Sequence, residues 1–526
     1  MREQQSYLRN VAAIMAIISL TACGGGGSGS PSAASSADVA KNAPPEPADG
    51  LGESGQLPGT VSIGGDIAPP TVNPGSDMSP QSKYLFDEQI VVAMSDEGRA
   101  LVAWQFEGSE VSQIAAWTQS SASGVWDAAK RLPQADHGYG TGMALRMNAA
   151  GNALLGWVSG DCIAPLDKTG HNRVLRFTQG SGWDAKADIL DEYNLGSNWD
   201  LALLADNSFT STIVSDSNSA VLRVDAQGGR NIVLQTDPSR NYNTFGSNHH
   251  NYFAPLPDGS GLQYRMYDSD VDPRKKTAIS ARFTTADNIG LSEFPIGTYG
   301  GVCNTVGTGY FPITAVTTPQ HEGVLAVLED DDDIGCYTPH LELIRVSSQG
   351  GISARQTHVN SPGTYLPLAP VLTVDRLGNA LAIWTEASGD INHPQATDTL
   401  RMMWSQSLSG AGWSTPQPLM LNLGALEERT AYSPVSLAMN AAGQAVAAVR
   451  VNANDPAIMA ARFDFSTGWT SWKMVANKAV PSYPKVAINA SGQAIVVYMA
   501  SDQPRWKGHT TFPGTYWVPR IFALRL

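Results

Sequence analysis

The chain has 526 residues, of which 42% are hydrophobic and only 16% charged, with a formal charge of −14. Charged residues this far below the roughly 25% usual for soluble domains argue against a coiled coil or a disordered acidic chain, and the negative balance argues against nucleic acid as a partner. With 51 Gly and 32 Pro, turn-formers favour many short elements over long helices.

Residues 1–22 read as a sorting signal. Arg2 and Arg9 form a basic start, and Val11 to Leu20 is an apolar core too short to span a bilayer but suited to a signal peptide. The core runs into Leu20-Thr-Ala-Cys23-Gly24, which resembles the lipobox of bacterial lipoproteins. That resemblance implies acylation of Cys23, with palmitate or a similar chain, and cleavage before it. Gly24 stands where Asp would be the family's inner-membrane retention signal, which implies the outer membrane, on its periplasmic or surface side. Losing Arg2, Glu3 and Arg9 takes away a net +1 and leaves a mature charge of −15. The lipid would be the membrane anchor, in a compartment that permits disulfides.

From Cys23 to residue 58 the chain is Gly, Ser, Pro and Ala with scattered acids. It holds too little apolar surface to offset chain entropy, so a disordered tether is expected.

Residues 59–526 carry a repeat. Each copy has an apolar strand, a turn with Gly or Asn, a second apolar strand, a polar connection and a third strand, often followed by Gly-Trp. Turns at 98, 151, 207, 259, 323, 378, 443 and 492 mark eight units with a mean spacing of about 56 residues. Asn-Ala-Ala-Gly443 and Asn-Ala-Ser-Gly492 are hairpin chemistry, because Gly supplies the positive φ of the turn. Second strands such as Ala445 to Val449 and Ala494 to Tyr498 are apolar on both faces, so they need sheets packed above and below them. Small antiparallel sheets stacked face to face around an axis meet that need. The expected fold is an all-β propeller of eight four-stranded blades, with seven as the alternative. The last unit stops at a third strand, Ile521 to Leu526, leaving an edge for an N-terminal strand to cover. Thr60-Val-Ser-Ile63 is the candidate for closing the ring, and Lys83 to Phe86 the alternative.

The Gly-Trp elements at Trp126, Trp183, Trp413 and Trp469 weakly resemble the Asp-box of sialidase-like propellers. They keep Ser or Gly and the Trp but lack the Asp. In that family the box is a structural turn, so the likeness implies fold and not activity. A sialidase is not expected, because the family's Phe/Tyr-Arg-Ile-Pro signature is missing at Tyr264-Arg-Met266. An Arg recurring in third strands (Arg176, Arg223, Arg282, Arg345, Arg462, Arg525) reads as architectural.

Connections between second and third strands are acidic. Glu107, Glu110, Asp161, Asp167, Asp216, Glu386, Asp390, Asp455 and Asp502 fall in them, and two are dense: Asp268, Asp270 and Asp272 in the fourth unit, and Asp330, Asp331, Asp332 and Asp333 in the fifth. Such carboxylates suit Ca²⁺ or a cationic partner. Pro273 replaces the Gly of a calcium loop, however, and Arg274 to Lys276 compete for the charge, so no cofactor is required. The histidines, among them His137, His171, His321, His340 and His393, show no metal spacing and read as loop residues. Cys303 and Cys336 should lie on one face and are the expected disulfide. Cys162 would then be the odd thiol, and the other two pairings stay open.

These features point to a lipid-anchored, non-enzymatic outer-membrane protein that holds a protein or glycan on its acidic loop face. The alternative is a glycoside hydrolase or polysaccharide lyase using loop carboxylates.

Overall fold

A computed structural model describes residues 60–62, 90–107, 113–133, 141–159, 171–190, 201–214, 219–235, 250–256, 258, 260–268, 277–284, 294–299, 313–329, 340–358, 364–365, 370–388, 400–420, 423, 435–451, 457–476, 483–501 and 519–526. Among them there is no helix, and so none long and apolar enough to cross a membrane. The strands form eight antiparallel sheets in chain order.

The first sheet joins Ile90–Met94, Ala100–Glu107, Gln113–Gln119 and Lys130–Arg131, each beside the next in sequence. The same meander recurs in the following sheets, and the second, sixth and seventh each gain one short extra segment. In the eighth sheet Lys485–Ile488, Ala494–Ser501 and Pro519–Arg525 come from the end of the chain, and the fourth strand is Thr60–Ser62. Thr60, Val61 and Ser62 lie opposite Leu524, Ala523 and Phe522. The candidate strand at 83–86 lies outside the described residues.

Each second strand is the buried centre of its sheet. Ala380 to Ala387 is buried without interruption, as are Ala445 to Arg450 and Ala494 to Tyr498. Alternate residues face opposite neighbours. Leu101 and Ala103 pack on the second sheet, while Ala100, Val102 and Trp104 pack on Ile495, Val497 and Ile521 of the eighth. Shared apolar clusters likewise join the second sheet to the third, the fourth to the fifth, the fifth to the sixth, the sixth to the seventh and the seventh to the eighth. Between the third and fourth sheets, Phe209–Val214 meets His250–Pro255. Meander sheets stacked face to face are the architecture of a β-propeller.

The turns between first and second strands share one face, here called the hinge face. Gly98, Gly151, Gly378, Gly443 and Gly492 have φ between +83° and +84°, or +82° at Gly492, and each amide donates to the carbonyl three residues back. Only Gly adopts that conformation without a Cβ penalty. Asn207 (φ 65°) and His321 (φ 58°) take the same place in the third and fifth sheets. The fifth turn is therefore centred on His321, and Gly323, read from sequence as the turn residue, is already in the second strand. Neighbouring turns are tied together: Asn440 Nδ2 donates to Asn489 O at 3.0 Å and Asn489 Nδ2 to Asp96 O at 3.4 Å.

Candidate functional site

The opposite face, the loop face, is framed by the ends of second strands and the starts of third strands. In the fourth sheet Asp268 pairs with Thr277, and in the fifth Glu329 pairs with His340. The two densest acidic connections thus start from adjacent sheets on one face, as their place in the repeat requires. Of the acids that the sequence puts in these connections, Glu107 and Asp268 instead end their second strands, paired with Gln113 and Thr277. Cys23, Asp270, Asp272, Asp330, Asp331, Asp332, Asp333, Cys303, Cys336 and Cys162 lie outside the described residues, as do Glu110, Asp161, Asp167, Asp216, Asp390, Asp455 and Asp502.

Glu386 is a correction. The sequence reading puts it in a solvated connection, but it sits within Ala380–Ser388 and is fully buried. Its Oε2 accepts from Arg401 Nε at 2.7 Å and also from Arg401 Nη2. Its Oε1 accepts from Trp384 Nε1 at 3.3 Å and lies 2.6 Å from His358 Nε2. Burial, the largest influence, pushes the carboxyl pKa up. Hydrogen bonds from His358 and Arg401, with the charge of Arg401, outweigh it and hold the pKa below its ordinary value. Glu386 is therefore a carboxylate with its oxygens already spent. His358 comes from the last position of Ile352–His358 in the fifth sheet, so the cluster spans the seam between the fifth and sixth sheets near the loop face. The sequence reading missed His358. The signal available was the apolar run through Ala387, which keeps Glu386 inside a strand that is buried on both sides.

A second polar cluster lies on the other side of the fifth sheet. Buried Glu342 pairs with Arg355 at 3.1 Å and accepts from Thr357 Oγ1 at 3.2 Å, while Arg355 also donates to Ile296 O of the fourth sheet. Both clusters lock one sheet to the next. Among the described residues no group of three or more His, Cys, Asp or Glu could hold a metal ion.

Other expectations also change. His171, His250 and His340 begin strands and do not lie in loops. His321 is half-buried, 3.4 Å from Ser260 Oγ. The recurring arginines are architectural in a specific way. Arg176, Arg345, Arg462 and Arg525 each donate to a backbone carbonyl in the next sheet's hinge turn: Asn207, Gly378, Gly492 and Gly98, respectively. Arg282 stands one position out of this register: it pairs with Gln263, three residues after Ser260 of its hinge turn, whereas Arg176 pairs with Leu154, two residues after Asn152. In the first and sixth sheets Gln119 and Gln406 stand in the Arg register.

Where the Arg is missing, aromatic residues fill the seam. Trp117 of the first sheet lies 5.6 Å from Phe177 and 5.8 Å from Trp183 of the second. Trp404 of the sixth lies 5.6 Å from Phe463 and 6.2 Å from Trp469 of the seventh. The two triads occupy matching registers, and the Gly-Trp elements supply one member of each.

No family model and no curated protein sequence matches the chain. Solved structures that resemble it include the polysaccharide lyase Uly1 (8% identity, 90% of this chain and 97% of that one, TM-score 0.41). Others are the β-propeller domain of the Trilobed protease from Pyrococcus furiosus (10% identity, 69% and 91%, TM-score 0.36) and the α-L-arabinofuranosidase Arb93A from Fusarium graminearum (13% identity, 64% and 94%, TM-score 0.34). At these values the likenesses assign no activity to the chain.

Proposed function

We propose that the protein is a lipoprotein, acylated at Cys23 and held at the outer membrane, whose closed eight-bladed propeller binds a protein or glycan on its acidic loop face without catalysis. The observation that carries this reading is the placement of two acidic connections, those following Asp268 and Glu329, on adjacent sheets of one face. The carboxylates that the sequence puts in these connections would attract a basic peptide or a cationic glycan, directly or through Ca²⁺.

Three further features bear on it. First strands touch between successive sheets from the fourth through the eighth to the first, second and third, as strands lining an axis would; between the third and fourth the contact is Phe209–Val214 with His250–Pro255. Their described residues contain no Asp or Glu, so a carboxylate pair for glycoside chemistry would have to come from the connections. Among the described residues, the buried carboxylate beneath the loop face whose pKa is shifted, Glu386, has its oxygens occupied by its neighbours. The pairing of Thr60–Ser62 with the last strand supports a closed ring.

The test compares the full-length protein with a variant carrying Asn at Asp268, Asp270, Asp272, Asp330, Asp331, Asp332 and Asp333. Both are applied to arrays of glycans and basic peptides, with and without Ca²⁺. Salt-sensitive binding that the variant loses supports the reading. Binding that the variant keeps, or turnover of any arrayed glycan, sinks it. Release of Cys23→Ala from the membrane fraction tests the anchor separately.

A further inference from the structure

We propose that the hinge face seats on a zwitterionic phospholipid surface, so that the acidic loop face points away from the membrane. The inference rests on the lipid-anchor reading and adds to it an orientation and a second contact.

The first ground is where the leash joins the fold. Pro519–Arg525 runs from the loop face, where Pro519 pairs with Ser501, to the hinge face, where Arg525 pairs with Ile495. Thr60–Ser62 is antiparallel to it, with Thr60 opposite Leu524 and Ser62 opposite Phe522. Chain coming from Cys23 therefore enters the last sheet at the hinge face. Gly-rich coil statistics give the intervening residues a reach on the order of 30 Å. To seat the loop face instead, the leash would first have to climb the seven-residue strand, about 24 Å at ~3.4 Å per residue. That climb is comparable with the r.m.s. distance, so the hinge face is the one the leash holds nearer to the membrane.

The second ground is independent. Among the described residues the exposed large apolar side chains are Val125 (69%), Leu377 (60%), Leu408 (48%), Met474 and Ile352. Four of the five are on the hinge face: Val125 and Leu408 in turns after third strands, Leu377 in a hinge turn, and Ile352 at the start of a fourth strand. The Leu377 and Leu408 turns adjoin, since Ser409 N donates to Asn379 Oδ1 at 2.9 Å. Val125 caps the turn that Arg525 grips through Ser121 O at 3.2 Å, beside the point where the leash enters. Other tips on this face are small, such as Ala149-Ala150 and Ala441-Ala442, both pairs exposed. Exposed Asp96, Glu97, Asp206, Asp225 and Asp258, beside Arg230 and Arg376, leave the described face net acidic, so an anionic surface would repel it and a zwitterionic one would not. Apolar tips clustered on one face mark a contact surface.

The test uses the full-length acylated protein on phosphatidylcholine vesicles, read by flotation and by amide hydrogen exchange against the same protein in detergent. Seating predicts at least threefold slower exchange at residues 95–99, 121–125, 376–379 and 408–411 on vesicles, with no slowing near Ser501 and Pro519. The variant Val125→Asp/Leu377→Asp/Leu408→Asp changes exposed tips only. It should still float and melt like the parent but lose the slowing. A floating protein with unslowed hinge turns, with slowing at the loop face, or with slowing unchanged in the variant, overturns the seating and leaves the anchor standing. A protein that does not float overturns the anchor, and the seating falls with it.

Discussion

Arg525 Nη2 donates to the carbonyl oxygen of Gly98 at 2.9 Å, across 427 positions of sequence. The same group reaches Ser120 Oγ at 2.8 Å, so one guanidinium ties the last strand to both turns on the hinge side of the first sheet. Its pKa is lowered by burial, and no carboxylate among the described residues pairs with it. Charge-assisted bonds to neutral acceptors hold the seam. Arg525→Met should cost about 2 kcal/mol in denaturant unfolding. Arg525→Lys should recover little of that, because an ammonium cannot reproduce the fork. A cost no greater than that of replacing surface-side Arg99 would remove this role.

The seam between the fifth and sixth sheets should be acid-sensitive. The Glu386 pKa is lowered on folding, so its stabilisation is present above the unfolded value of about 4.5 and is lost as pH falls through the folded value. Glu386→Gln should cost about 3 kcal/mol at neutral pH, since it leaves a buried cluster without its anion. Its stability should also fall less steeply than that of the parent on acidification. Parallel stability curves for the two proteins would contradict the assignment.

Trp117 and Trp404 occupy the same place in two different seams. Either one changed to Ala should cost about 3 to 4 kcal/mol, as for other large aromatic truncations. The same change at half-exposed Trp126, which sits in no such triad, should cost clearly less. Thermal unfolding of the three single variants gives the comparison.

Removing residues 60–62 should expose the edge of Pro519–Arg525 and promote association through it. Sedimentation at increasing concentration should show oligomers that the parent lacks. A monomeric deletion variant of unchanged stability would show that the edge needs no cover.

The sheets were readable from sequence because Gly turns and doubly apolar strands are local signals. Ala445 to Val449 cannot be mistaken for a half-exposed strand, and Gly443 marks its start. His321 hid the fifth turn because a non-Gly residue took the left-handed position there. The Glu386 cluster was not legible, because its partners come from two sheets and an acid near a strand end looks the same whether solvated or buried. The Arg series could be read only in part. A one-residue shift of register takes Arg282 out of the series, and pairing decides the shift.

Gln119 and Gln406 make the seams unequal, and this bears on how such a stack of sheets can be copied or rebuilt. A single sheet placed beside a neighbour of the wrong kind would set an arginine against an aromatic pair, or a tryptophan where no aromatic partners stand. The first and second sheets, and likewise the sixth and seventh, carry both halves of their own junction. The pair is therefore the smallest interchangeable part, and a graft that exchanges one pair for the other preserves the joint that a single-blade graft would break.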